Sequence, residues 1–552
     1  MLKRWELSGK LKMLILVAAA LMTAILVGCG NGGETPIEDV NVKSGAQSET
    51  GEAAQKEEPR EPTVVRLAGS DAGYPSPFAH YPRMRGTVMK MVFDSLLEVD
   101  EEKCKPWLAK SWSISEDGTT HTIDLQEGVK WHDGKPMTAN DVVFSFNYYL
   151  EYPPVFIGEV ITQPGYIKSI EAVSDTRVII KTAEPNATFY CEAGMLRIIP
   201  EHIWKDVGNP YELFTPDAAL GCGPYILTAY SKEHGTYRYE AFTDYWGPRQ
   251  RVDVIEYIPV SEEVLALEKG DISISRLSPD VLSRFEGNSA YKVVESPALA
   301  GTMISFNMNR NPLFQKKEFR QAVAYAIDKD EIIQKVMRGA ALPGSPGILP
   351  MHHQFFNPNL PVYNHNPEKA KELLRSIGAE QGLSFELMVS EGSEVRIGEL
   401  LNEQLAQVGI DLKITAVDSK SRDSRANEGN YEMAILAMGA WGMDADFLRI
   451  RYISSREGVK GGSATGILGA DQGYKNTEVD SLLREQLRET NYEKRKQILF
   501  RLQEVLAHDV PEIPLYNNYY LYAYRPGEYD GWTFMFDHAV MEHAKLSYLE
   551  RN

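Results

Sequence analysis

From about Phe306 onward the chain alternates short apolar strands with amphipathic helices that stop at glycine, and this alternation constrains the fold more than any other feature. Residues 385–389 and 410–414 read as strands. Residues 317–337, a segment opening at Asn366-Pro367-Glu368 and running to Ile377, and residues 395–408 read as helices closed by Gly339, Gly378 and Gly409. A helix period of 3.6 switching repeatedly to short strand runs predicts a parallel, doubly wound layer.

The part before it is of another kind. Residues 63–67 and 178–182 read as strands, and Glu116-Asp117-Gly118 and His132-Asp133-Gly134 as turns. Thr138-Ala139-Asn140-Asp141, ahead of the apolar residues 142–146, reads as a capped helix start. This first part is therefore α+β. At the far end, a helix over residues 491–508 is followed by strand-like residues 513–516 and a tyrosine-rich strand over 519–524. The simplest path for that late strand leads back to the first part, so the chain crosses twice between lobes and forms a hinge. A chain of 552 residues is also too long for one core, since cores stop growing near ~250–300 residues. The expected organisation is a first lobe over 63–304, a second, α/β lobe over 305–514, and a return to the first lobe over 515–552.

The beginning reads as an export signal. Lys3, Arg4, Lys10 and Lys12 precede an apolar run, residues 13–27, that is shorter than the ~20 residues of a bilayer span. Leu26-Val27-Gly28-Cys29 resembles the bacterial lipobox, which implies a signal peptide over 1–28 and lipidation of Cys29. Residues 29–62, nearly free of large apolar side chains, cannot bury a core and read as a flexible tether. Cys104, Cys191 and Cys222 remain, with Cys191–Cys222 the first choice for a disulfide and free thiols the alternative.

A formal charge of -19 argues against a nucleic-acid partner, which requires clustered Lys and Arg. The chain contains no HExxH, GxSxG or GxxxxGK[ST], and Gly221-Cys222-Gly223 lacks the rest of a dinucleotide fingerprint. No enzyme, no cofactor and no metal site are expected. His352, His353 and His365 lack the spacing of a zinc site and read as exposed.

Several stretches, in order, resemble the family 5 extracellular solute-binding proteins, the peptide and nickel receptors of bacterial ABC importers. They are Pro106-Trp107-Leu108-Ala109-Lys110-Ser111-Trp112, then Leu125-Gln126-Glu127-Gly128-Val129-Lys130-Trp131-His132-Asp133-Gly134-Lys135-Pro136, then Gly221-Cys222-Gly223-Pro224-Tyr225. Phe319-Arg320-Gln321-Ala322-Val323 and Asn366-Pro367-Glu368-Lys369-Ala370 follow. The resemblance implies an α/β, two-lobed periplasmic-binding-protein-like fold with an extra α+β subdomain in the first lobe and a ligand cleft between lobes. It implies a monomer that captures a small solute, a short peptide first, and hands it to an ABC permease with ATPase subunits from a lipid anchor on the extracytoplasmic face. A nickel chelate, sugar or opine is the alternative cargo.

The segment Gly439-Ala440-Trp441-Gly442-Met443-Asp444 follows an apolar strand, at the end where open α/β sheets bind ligands. Peptide-binding relatives carry a Trp three residues before an Asp that takes the peptide's ammonium, and Trp441 and Asp444 keep that spacing. A carboxylate bonded to an ammonium is a charge-assisted pair. Backbone groups at Gly439, Ala440 and Trp441 are expected to pair with an extended peptide. An Asp after a strand also serves as a helix cap, a task open to Asp446. Where relatives carry proline after this Asp, the chain has Ala445-Asp446-Phe447-Leu448, so the loop is reshaped. Tyr74 and Phe78, after the first strand, are candidate ring walls from the first lobe, with a core or surface-turn position as the alternative, and Arg396 is a candidate partner for a peptide carboxylate, with a solvated position as the alternative.

Overall fold

The computed structural model describes residues 61–79, 87–99, 104–153, 165–380, 382–438, 444–454, 472–533 and 548–549. The chain builds two large apolar cores. The first gathers Val65, Leu67, Trp131, Phe146, Trp204, Tyr225 and Ile255 and, from much later in the chain, Tyr520, Tyr522 and Tyr524. The second gathers Ile304, Phe306, Phe319, Phe385, Leu401, Ile435, Leu499 and Tyr516. The path passes from one core to the other between Ala300 and Met303 and returns between Tyr516 and Tyr520.

Both crossings use neighbouring strands. Ala300–Phe306 pairs antiparallel with Glu512–Asn518, Ala300 opposite Asn518 and Thr302 opposite Tyr516. The register then shifts, so that Met303 faces Pro514 and Leu515 is left over. Proline has no N–H for the ladder, and a bulge beside it absorbs the missing bond. Gly301 lets these strands approach: a Cβ there would lie 2.1 Å from the Tyr516 carbonyl oxygen.

The crossing strands belong to a six-stranded sheet in the order Ala341–Pro343, Glu512–Asn518, Ala300–Phe306, Met433–Met438, Leu383–Ser390, Ile410–Val417. The parallel layer expected from the strand–helix alternation is thus only partly realised. The last two pairings are parallel and the other three antiparallel, because the strands that enter and leave the lobe are inserted into its sheet. The expected helix over 317–337 is also interrupted. It resolves into Lys317–Ala326 and Lys329–Lys335, and Asp328 at the break accepts the Glu331 N–H at 3.0 Å as a new N-cap. Asn366 caps Pro367–Ser376 through the Lys369 N–H in the same way. Gly378 and Gly409 stand at positive φ where the helices stop.

The first lobe holds a sheet of Val64–Ala68, Val254–Ile258, Thr236–Ala241 and Tyr225–Ser231. A second four-stranded sheet, Ala109–Ile114, Thr120–Leu125, Arg177–Thr182 and Ile167–Ser174, packs with the helix Ala139–Glu151 as the extra subdomain. Thr138 and Asp141 close the expected helix start as a reciprocal capping box. The Trp131 of the long motif is fully buried, as core. No helix among the described residues is long and apolar enough to cross a membrane.

Candidate functional site

The strand Met433–Met438 runs antiparallel to the first crossing, with Met438 opposite Gly301, and parallel to Leu383–Ser390. Parallel pairing brings the carboxyl ends of Met433–Met438 and Leu383–Ser390 to one edge of the sheet, beside the inter-core crossing. Asp444 follows the first of these strands and the helix carrying Arg396, Ser393–Ala406, follows the second.

Asp444 is held on its protein side by a residue 51 positions away. Arg495, from the helix Tyr492–Asp509, donates Nη1 to Oδ2 and Nη2 to Oδ1, each at 2.6 Å. Oδ1 also accepts the Asp446 N–H at 2.8 Å, an Asx turn that shapes the start of the helix Phe447–Tyr452. Asp446 stands at the N-cap position of that helix, but its side chain makes no capping hydrogen bond. Asp446 instead receives Arg449, whose Nη2 lies 2.7 Å from Oδ2, and the Gln486 side-chain amide at 2.6 Å. Gln486 accepts from Arg495 through both its carbonyl and its Oε1, so the two Asp–Arg pairs form one network. The Phe355 ring covers the Arg495 guanidinium, with 5.3 Å from its central carbon to the ring centroid. The Arg495 side chain is only 6% exposed, whereas that of Asp444 keeps 27% open.

Burial works to raise the Asp444 carboxyl, but the Arg495 charge and hydrogen bonds, with the Asp446 N–H, outweigh it and hold the group below the ordinary carboxylate range. His353 stands next to this carboxylate. It was expected to be exposed, yet it is buried, and burial pushes it down to about 4 against the pull of Asp444. Its Nδ1 accepts the Phe355 N–H at 3.1 Å, which fixes the loop beneath Arg495. Deeper in the lobe, Glu512 is buried and bound twice by Arg451 at 2.6 Å, as well as by Tyr452 and Ser305. That cluster anchors the helix after the site loop to the returning strand.

Gly439, Ala440 and Trp441 lie outside the described residues, as does Cys29. Tyr74 is half-buried in the loop after Val64–Ala68 and meets Tyr230 edge-on at 5.4 Å and Phe214 at 6.5 Å. That loop is pinned by Tyr230, which donates to Asp71 at 2.7 Å, and by Tyr237, which donates to the Gly73 carbonyl at 2.8 Å. Of the positions open to Phe78, the structure takes the core: it is 2% exposed and packs among Tyr148, Tyr149, Trp204 and Tyr211. Arg396 is exposed.

The proposed Cys191–Cys222 bond is not formed. No disulfide joins any of Cys104, Cys191 and Cys222. Cys222 is packed in the first core between the close-packed Gly221 and Gly223, while Cys191 lies in Phe189–Gly194 within reach of the Arg495 charge. Among the described residues no group of three or more His, Cys, Asp and Glu is arranged to hold a metal. His352 Nδ1 accepts the Ala298 N–H instead.

Sequence reasoning missed Arg495, Gln486 and His353. No local spacing links them to Asp444, and only the tertiary path brings them together.

The sequence profile of the family described as bacterial extracellular solute-binding proteins, family 5 Middle, matches residues 103–459. The dipeptide-binding protein of Escherichia coli K12 is 30% identical over 362 residues, 60% of this chain and 66% of that protein. Heme-binding protein A of Haemophilus influenzae is 27% identical over 539 residues, covering 92% of this chain and 94% of that protein. Among solved structures, the ABC transporter substrate-binding protein CtaP of Listeria monocytogenes superposes with a TM-score of 0.73 at 26% identity, over 84% of this chain and 93% of that one.

Proposed function

The chain belongs to the family 5 bacterial extracellular solute-binding proteins, and from that premise we propose that it captures short peptides between its two lobes and delivers them to the permease of an ABC importer. The observation that carries the reading is the partly open Asp444 carboxylate, held ionised at the carboxyl edge of the second-lobe sheet and next to the inter-core crossing. A ligand amine placed there makes a charge-assisted bond, stronger than a neutral one. The relative named for dipeptide binding supports this cargo.

Trp441 and the backbone of Gly439 and Ala440 belong to the same proposed site on the second-lobe side, Tyr74 to it on the first-lobe side, and Arg396 to its carboxylate end. Ligand-driven closure requires contacts to both lobes at once, because a ligand shifts an equilibrium only by its differential affinity for the two states. The protein binds and releases its cargo unchanged, without catalysis. It works as a monomer on the extracytoplasmic face of the membrane, tethered through residues 29–62 by acyl chains on Cys29. Two or more chains anchor stably where one gives only marginal binding.

Mass spectrometry of ligand released from protein purified without refolding tests the cargo. Short peptides are the expected finding. A haem, nickel chelate, sugar or opine in their place overturns the peptide reading while leaving the binding role intact.

A further inference from the structure

Resting on the peptide-capture reading, we propose that Arg495 is a positioning residue of the ligand site: it grips the Asp444 carboxylate from the protein side and fixes which oxygen edge meets a ligand's ammonium. A carboxylate offers about four lone-pair positions. Arg495 takes one on each oxygen and the Asp446 N–H takes a second on Oδ1, so the unspent position is on Oδ2.

Arg495 has no freedom to swing away. Its Nε and Nη2 donate to Gln486 at 2.8–3.1 Å, Gln486 donates to Asp446, and Asp446 is held by Arg449. Phe355 lies over its face. The charged and titratable groups around the carboxylate are therefore Arg495 on its own helix side, His353 from the loop below, Asp446 paired with Arg449, and, beside Arg495, the Cys191 thiol of the first-core helix. The two Asp and two Arg charges cancel.

A neutral network still prefers a cation, because Coulomb attraction falls with distance. An ammonium at ~3 Å from Oδ2 and ~6–7 Å from the guanidinium keeps roughly half of the unopposed attraction. In return Arg495 keeps Asp444 charged in acid, where a half-buried carboxyl left alone takes up a proton. The arrangement exchanges part of the attraction for a fixed geometry and a wide pH range.

The test compares Arg495→Met and Arg495→Lys with the unaltered protein, with Asp444→Asn used to assign the Asp444 signal in carbon-13-labelled protein. In Arg495→Met the Asp444 carboxyl should titrate about one pH unit or more higher. Equal midpoints overturn the proposal. In calorimetry with trialanine, the Met variant should lose about tenfold in affinity between pH 7.5 and pH 4.5, where the unaltered protein does not. An unchanged affinity and pH profile overturn the role toward ligand. If Arg495→Met does not fold, Arg495→Lys decides. It keeps the charge and loses the fork, so about threefold or greater weakening supports the proposal and none overturns it. Shifted midpoints in a protein that binds neither trialanine nor a mixed tripeptide pool sink the peptide reading and leave the Arg495–Asp444 grip standing.

Discussion

The Ala187 N–H donates to the Leu487 carbonyl at 2.7 Å, joining backbones whose neighbours belong to different cores. Ala187 lies two residues before the first-core ring Phe189, and Leu487 lies in the last turn of the second-core helix Thr477–Arg488. Glu184 and Arg488 pair beside this bond at 2.9 Å, and an added Cβ at Gly118 would meet Pro185 and Thr490. The subdomain of the first lobe thus reaches the second lobe away from the crossing strands.

This contact should bias the balance between open and closed lobes. Both side chains of the Glu184–Arg488 pair are exposed, so the pair is screened by salt and contributes little. Glu184→Arg is expected to weaken ligand binding by no more than about fivefold, with partial recovery in Glu184→Arg/Arg488→Glu. Calorimetry of the three proteins at low and high salt checks it. A loss that salt leaves unchanged would rule out the pair as its cause.

Asp444→Ala should weaken an unblocked peptide by at least about tenfold, by removing a charge-assisted bond. The same change strands Arg495 as a buried cation, so the melting temperature should fall as well. Calorimetry and thermal melting separate the two effects. Unaltered affinity in a folded variant removes the ammonium model.

Acid should destabilise the protein before its carboxylates titrate. Burial pushes His121, His132 and His353 each down to about 4, against an ordinary value near 6.5. A group with a depressed folded pKa stabilises the fold above its unfolded pKa, because only the unfolded chain takes up the proton below it. The histidine contribution to stability should therefore be complete above pH ~7 and fall between pH ~6.5 and ~4. Melting curves across that range check the slope, which His353→Phe should reduce.

Gly301→Ala should be poorly tolerated. The new methyl would enter the Tyr516 carbonyl of the neighbouring crossing strand, and backbone cannot step aside as a side chain does. A loss of about 1–3 kcal/mol or more is expected in denaturant unfolding. A loss below about 0.5 kcal/mol would show that the crossing strands yield.

Cys29→Ala should move the protein from the membrane fraction to the soluble one, since the acyl chains are its proposed attachment. Fractionation and immunoblotting check this. Retention on the membrane would place the anchor elsewhere.

Much of the fold was legible because its signals are local. Caps at Thr138 and Asn366 and stops at Gly378 and Gly409 stand where the residues announce them, each satisfying backbone groups within a few positions. The break at Asp328 was missed because apolar spacing continues across it, and only the hydrogen bond to Glu331 marks the restart. Strand direction was misjudged for the same reason. A pattern of strands and helices says nothing about a strand returning from another lobe, as Glu512–Asn518 does. Near the proposed site, the spacing of Asp444 to Trp441 marks that carboxylate as a candidate, whereas local sequence leaves Phe78 open between cleft wall and core, because an aromatic residue after a strand looks alike in either place.

The family resemblance, the two-lobed organisation and the candidate carboxylate are all read from local signals, because motifs, caps and hydrophobic periods act over a few residues. What that carboxylate is bound to depends on the fold. Arg495 is 51 residues from Asp444 and Gln486 is 40 from Asp446, and packing of separate helices brings them together. Charge and hydrogen bonding act through space over a few ångströms, so the partner that fixes an ionised group is set by the fold and not by its neighbours in the chain.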